Sequence, residues 1–120
     1  MTARRMKTYT GQTGYVYQYY FVGKRPAMRE APEAPATEYV FDVTRDRQSF
    51  FAVSIFVQQQ ALTVWAANHG RELTEAEQYA TAKLGLFRSF DQIEDLAGSG
   101  RRIRVASEDI EVLLESLNLG

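Results

Sequence analysis

The sequence predicts an α+β domain, in which about three helices pack on one face of an antiparallel meander of three to four strands. Apolar residues alternate with a period of two in three segments between Thr13 and Val57, and beyond Val57 they recur with a period of about 3.6. Thr74 and Glu77 also form the pattern of a capping box, which marks the start of a helix. The predicted order is β-β-β-α-α-(β)-α. Strands followed by helices favour the α+β class.

Length and composition indicate one intracellular domain. The chain has 120 residues, a net charge of −1 and no cysteine. Disulfides and thiolate metal sites are therefore excluded, and a reducing cytoplasm is the expected location. No apolar run approaches the roughly 20 residues of a membrane helix, so we expect no membrane association. We predict a flexible N-terminal arm over residues 1–12, followed by a single domain over 13–120.

The first predicted strand, Thr13 to Gly23, is apolar on both faces. One face carries Tyr15, Tyr17, Tyr19 and Phe21, and the other carries Val16, Gln18, Tyr20 and Val22. Burying the second face would take the Gln18 amide out of water, so the tyrosine face is predicted to meet the helices. The first strand ends at a proline-rich loop, predicted over residues 24–37.

The next two predicted strands form an antiparallel hairpin. Residues 38–44 and 50–57 alternate cleanly and are joined by a short charged turn. Their most apolar faces are predicted to pack against the helices, on the same side of the sheet as the tyrosine face. The opposite, outer face then mixes apolar and polar side chains and has nothing predicted to cover it.

Further along the chain, the local signals predict helices and one short strand. Gly70 suits the left-handed position after a first helix, and a second helix follows Thr74. That second helix either breaks at Ser89 or continues to Gly98. Residues 101–105 form a predicted edge strand with its arginines outward, and Ser107 is predicted to cap a last helix.

Few residues suit catalysis. The chain has one histidine, His69, and no G-x-S-x-G motif surrounds a serine. Glu72, Glu75 and Glu77 lie near His69, but their spacing matches no common metal-binding pattern. The glycines and arginines of residues 98–102 could hold an anion, although phosphate loops open onto a helix and a strand is predicted here. We therefore expect a non-enzymatic protein with no metal and no cofactor.

The leading hypothesis is a protein-interaction or homo-oligomerising module that uses the outer face of its sheet. Uncovered apolar side chains of this kind are typical of surfaces that meet another protein. A homodimer is favoured, since closed twofold assemblies are the commonest soluble oligomers. The predicted interaction surface consists of Val16, Gln18, Tyr20, Val22 and Phe56.

Two other functions remain open. Single-stranded nucleic acid could stack its bases on Tyr20 and Phe56, while basic groups of the N-terminal segment contact phosphates. These groups are Arg4, Arg5, Lys7, Lys24, Arg25 and Arg29. Alternatively, an apolar ligand or a substrate could bind in a pocket between sheet and helices, lined by tyrosine hydroxyls, Trp65 and His69.

Overall fold

The alternating and helical segments fold into nine elements. A computed structural model of the chain describes residues 6–11, 14–27, 35–93, 95–99 and 101–115. In chain order the elements are β1 (Lys7–Thr10), β2 (Val16–Ala27), β3 (Ala36–Thr44), β4 (Phe51–Gln58), α1 (Gln59–His69), α2 (Glu75–Gln92), α3 (Leu96–Ser99), β5 (Arg102–Val105) and α4 (Ser107–Glu115).

The strands form one sheet with the spatial order β1-β2-β3-β4-β5. The pairs from β1 to β4 are antiparallel, whereas β5 lies parallel to β4. A parallel neighbour requires a long crossover, which α1, α2 and α3 supply between the end of β4 and the start of β5. The predicted α+β class with a mainly antiparallel sheet is confirmed. The described residues contain five strands and four helices, so the predicted three to four strands and about three helices were too few.

Residues 7–10, which fall in the segment predicted as a flexible arm, form the edge strand β1. The Tyr9 ring stacks on Phe87 of α2 with 4.5 Å between centroids, and its hydroxyl donates to the Asp91 carboxylate over 2.7 Å. That hydrogen bond, together with partial burial, raises the pKa of Tyr9 to about 12. These contacts to α2 fix a segment whose own sequence carries no strong strand signal.

Two ends of the predicted proline-rich loop lie in strands instead, because β2 continues to Ala27 and β3 begins at Ala36. Pro26 pairs with Thr37 inside this extension. Proline lacks the N–H of a central strand, but the described part of β1 pairs only with residues 16–19, so no described strand needs a hydrogen bond from Pro26 on that side. The rest of the predicted loop, residues 28–34, lies outside the described residues.

The tyrosine face of β2 lies in the core, as predicted for Tyr17 and Tyr19, which are both buried. Phe90 of α2 stacks on the Tyr17 ring at a centroid distance of 4.2 Å. Tyr15 departs from the prediction: it precedes β2 and is 49% exposed, with the Arg45 guanidinium 4.2 Å from its ring centroid. Tyr15 therefore lies before the first paired residue of β2 and outside the buried core.

The helix signals place α1 and α2 as expected. Gly70 ends α1 in the left-handed conformation with φ 74°, and its N–H donates to the Ala66 carbonyl over 2.9 Å. At the start of α2, the Glu77 N–H donates to the Thr74 hydroxyl over 3.1 Å, while the Thr74 N–H donates to the Glu77 carboxylate over 2.9 Å. The capping box is confirmed. α2 ends at Gln92, and α3 is a separate short helix.

The capping box makes stability depend on pH. Two hydrogen bonds from Arg71, with the Thr74 N–H bond, lower the pKa of Glu77 to about 2 from an ordinary value of 4.5. A lowered native pKa adds stability above the unfolded value, and that stability is lost as the pH falls from 4.5 towards 2. We therefore expect Glu77→Gln to lower the melting temperature at pH 7. Near pH 2 the variant and the wild type should melt together.

Thermal unfolding followed by circular dichroism at a series of pH values measures this difference. Glu72→Gln is the matched control, because Glu72 is exposed and lies outside the capping box. A difference in melting temperature between Glu77→Gln and the wild type that stays constant from pH 7 to pH 2 would contradict the lowered pKa of Glu77.

Candidate interaction surface on the outer sheet face

The outer face of the sheet lies opposite the helices. Its side chains, identified by strand register and alternation, come from all five strands. They include Thr8, Thr10, Val16, Gln18, Tyr20, Val22, Arg25, Glu38, Val40, Asp42, Thr44, Ala52, Ser54, Phe56, Arg102 and Arg104. The buried apolar residues of the described helices pack with the inner-face residues instead. In the described part of the chain, no helix covers the outer face.

An apolar half, defined by Val16, Tyr20, Val22 and Val40, occupies the side of this face around β2. Val16 is 48% exposed and Val22 39%, and Tyr20 and Val40 are partly buried between the strands. Val22 sits where the register of β2 and β3 shifts between Phe21 and Gly23, as at a β-bulge. Val16 and Val22 on β2 are therefore the exposed apolar side chains of this half.

Polar side chains within the same region bond to one another. The Tyr20 hydroxyl donates to the Asp42 carboxylate over 2.7 Å. The Gln18 side-chain oxygen accepts from the Arg47 guanidinium over 2.9 Å. These bonds lie along the face and satisfy polar groups that sit beside exposed valines.

Glu38, predicted to face outward from β3, is only 8% exposed. Its carboxylate accepts hydrogen bonds from the Ser54 hydroxyl over 2.6 Å and from the Arg25 Nε over 2.7 Å. Arg25 and Ser54 lie on the strands either side of β3, so sheet pairing brings both donors to the carboxylate. A buried carboxylate requires such partners, and the Glu38 contact in turn raises the pKa of Arg25.

An arginine half, defined by Phe56, Arg101, Arg102 and Arg104, occupies the opposite side: Arg102 and Arg104 lie on the outer face, and Arg101 directly precedes β5. The Arg102 guanidinium lies 4.8 Å from the Phe56 ring centroid, and Arg104 is opposite Phe56 in the strand register. Arg101 Nε donates to the Ala52 carbonyl over 3.0 Å. All three arginines are exposed, and none pairs with a carboxylate among the residues that the structure describes.

The predicted phosphate contacts of the N-terminal segment do not form one surface in the described chain. Lys24 lies on the helix side of β2, 5.9 Å from the Tyr39 ring centroid. Lys7 interacts with Lys83 of α2, whose pKa is lowered chiefly by burial and also by Lys7. Arg25 is on the outer face. Arg4, Arg5 and Arg29 lie outside the described residues.

The arginines of β5 are the functional candidates that sequence reasoning did not connect with Phe56. The alternation of Arg102-Ile103-Arg104-Val105 does predict outward arginines, and Val105 is buried as expected. Which strand lies next to β5, however, depends on the crossover that brings β5 beside β4. No local pattern specifies that pairing.

The remaining candidate groups have structural partners. His69 Nε2 lies 3.0 and 3.1 Å from the Glu111 carboxylate oxygens, and its ring stacks on Trp65 at 4.1 Å. This interaction joins α1 to α4. Across the described ranges, no three His, Cys, Asp or Glu side chains are grouped so that they could hold a metal ion. The proposed ligand pocket lined by Trp65, His69 and tyrosine hydroxyls stays an untested prediction.

Comparison of the chain with protein-family models, with curated proteins and with solved structures gives no match. Within the described ranges, every helix is too short or too polar to cross a bilayer. The surface therefore has to be interpreted from its own chemistry.

Proposed function

We propose that the protein is an interaction module that forms a twofold dimer through the outer face of its sheet. The observation that carries the proposal is the exposure of two side chains in the apolar half: Val16 is 48% exposed and Val22 is 39% exposed, on either side of Tyr20 along β2. An antiparallel sheet whose second face meets only water normally shows polar residues there. Contiguous apolar side chains on such a face are characteristic of protein contacts.

The hydrogen bonds along the face favour a protein partner. Asp42 is bonded by Tyr20, and Gln18 by Arg47. A polar group that enters an interface without a partner costs about 1–3 kcal/mol. Because these groups are already paired within one protomer, covering them costs less than covering polar groups without a partner.

The dimensions of the face suit a modest dimer. Five strands about 4.8 Å apart, with about 3.3 Å of length per residue, give the whole face an area on the order of 600 Å². A standard interface buries roughly 800 Å² per partner. A second copy presents the same face, so one isologous contact covers the apolar half of each protomer. The arginines of β5, on the edge strand, remain at the rim.

Sedimentation equilibrium of the full chain tests the dimer. We expect the wild type to sediment with twice the protomer mass at high micromolar concentration. Val16→Glu/Val22→Glu should weaken association by about a hundredfold or more, since it places two charges in the contact. Both valines are exposed, so the substitutions should leave the protomer folded. Thr63→Glu/Val112→Glu adds the same charge at exposed helix positions and serves as the control.

A wild type that remains monomeric throughout this range would overturn the proposal. Equal loss of association in the two double variants would do so as well, because it would show a general effect of charge. Circular dichroism spectra of both variants verify that the secondary structure is retained.

A further inference from the structure

The geometry points to a second binding site on the same face: we infer that the arginine half binds single-stranded nucleic acid. Arg101, Arg102 and Arg104 would contact phosphates, and a base would stack on the guanidinium that Arg102 holds over Phe56. This site differs from the N-terminal basic segment that the sequence suggests, and it does not depend on the proposed dimer.

The first argument is charge. Three exposed guanidinium groups lie within four residues and have no carboxylate partner in the described chain, although the whole protein has a net charge of −1. Arg102 and Arg104 point to the same side of β5 and are separated by about 7 Å along the strand. The nearest acidic groups on the face, Glu38 and Asp42, accept hydrogen bonds from Arg25 and Tyr20. The local field is therefore suited to successive anionic groups.

The second argument is the planar group beside the charges. The Arg102 guanidinium is 4.8 Å from the Phe56 ring centroid, within the range of a cation–π contact. This contact restrains a flat, delocalised cation on the sheet surface. Guanidinium planes and aromatic rings are both surfaces on which unpaired bases stack. Phosphate contacts and a stacking platform thus occur within one short segment.

These features favour a single strand over other anionic partners. A duplex hides the faces of its bases, so it would not use the Phe56 and Arg102 platform. An acidic peptide could pair with the arginines but gains nothing from base stacking. Single-stranded nucleic acid uses both the phosphate contacts and the stacking surface. The position of β5 at the edge of the sheet leaves room for it.

Fluorescence anisotropy of a labelled oligothymidylate at low salt tests the site. Arg102→Gln/Arg104→Gln should weaken binding about tenfold or more, and should reduce the slope of log affinity against log salt by about 1.4, since each phosphate contact contributes about 0.7. Arg45→Gln/Arg71→Gln removes the same charge elsewhere and should bind within about twofold of the wild type at about 0.15 M salt, where distant charges are screened. No binding by the wild type, or an equal loss in both variants, would overturn the inference.

Two further probes separate base recognition from simple anion binding. An abasic oligonucleotide of the same length should bind about tenfold more weakly, in line with the loss of one stacked base. Polyglutamate should compete poorly. If the abasic strand binds as tightly as oligothymidylate, or if polyglutamate displaces the strand at equal charge concentration, the site is a general anion or acidic-peptide site and the inference fails.

The dimer variants keep this test separate from the proposed function. Val16→Glu/Val22→Glu and Thr63→Glu/Val112→Glu have the same net charge, so we expect equal oligonucleotide affinity. Selective loss in Val16→Glu/Val22→Glu would move the site to the apolar half and overturn its assignment. A monomeric wild type that binds through Arg102 and Arg104 would leave this inference intact while removing the dimer.

Discussion

Replacing Phe90 by alanine is expected to lower the free energy of unfolding by about 4 kcal/mol, at the upper range for a buried aromatic side chain. Phe90 is 2% exposed and stacks on Tyr17, with 4.2 Å between the ring centroids and 6° between the planes. It also approaches Tyr9 at 5.5 Å and Tyr19 at 6.2 Å. The deletion therefore leaves a cavity among rings from β1, β2 and α2.

Urea unfolding followed by circular dichroism measures the loss. Phe50→Ala removes the same side chain where it is 48% exposed, and we expect a change of about 1 kcal/mol or less. The measurements are made on dilute protein, so that dissociation does not contribute. Similar losses for the two variants would show that the ring cluster is not the main packing site between α2 and β2.

The second large effect is expected at Gly85, where α2 passes close to β4 and β5. A Cβ atom at this position would lie 3.2 Å from Val105 Cγ2 and 3.5 Å from Ile55 Cγ2. Leucine would place three further carbons against these buried side chains. We expect Gly85→Leu to destabilise the protein by about 3 kcal/mol through overpacking.

A double-mutant cycle identifies the cause of this effect. In Gly85→Leu/Val105→Ala the leucine gains the space that Val105 occupied, so the double variant should be more stable than the sum of the single effects predicts by about 1 kcal/mol or more. Gly85→Ala should change stability by about 1 kcal/mol or less, because improved helix propensity offsets the close contact. Additive effects of the two substitutions would contradict overpacking against β5.

The same substitution connects packing with the inferred site. Val105 is the last residue of β5, and the Arg101 carbonyl at its other end accepts from the Ser54 N–H over 2.8 Å. If leucine at position 85 displaces β5 from β4, Arg102 should lose its place over Phe56. A folded Gly85→Leu variant should then bind the oligonucleotide more weakly than the wild type does.

Short-range patterns were sufficient for much of the architecture. Alternation predicted that Tyr17, Tyr19 and Ile55 face the core, because side chains on a strand point alternately to its two sides. The capping box of Thr74 and Glu77 predicted the start of α2, because its hydrogen bonds join residues three apart in the chain. In both cases the deciding interactions lie close together in sequence, or follow directly from local geometry.

The sequence by itself thus determined the α+β class, the inward faces of the central strands and the start of α2. Only the tertiary structure decided that residues 7–10 pair with β2, that Tyr15 lies outside the core, and that Glu38 is buried between Arg25 and Ser54. It also decided that β5 lies parallel to β4, which brings Arg102 and Arg104 to Phe56. Each of these depends on contacts between segments far apart in the chain, whose pairing is set by the packing of the whole domain.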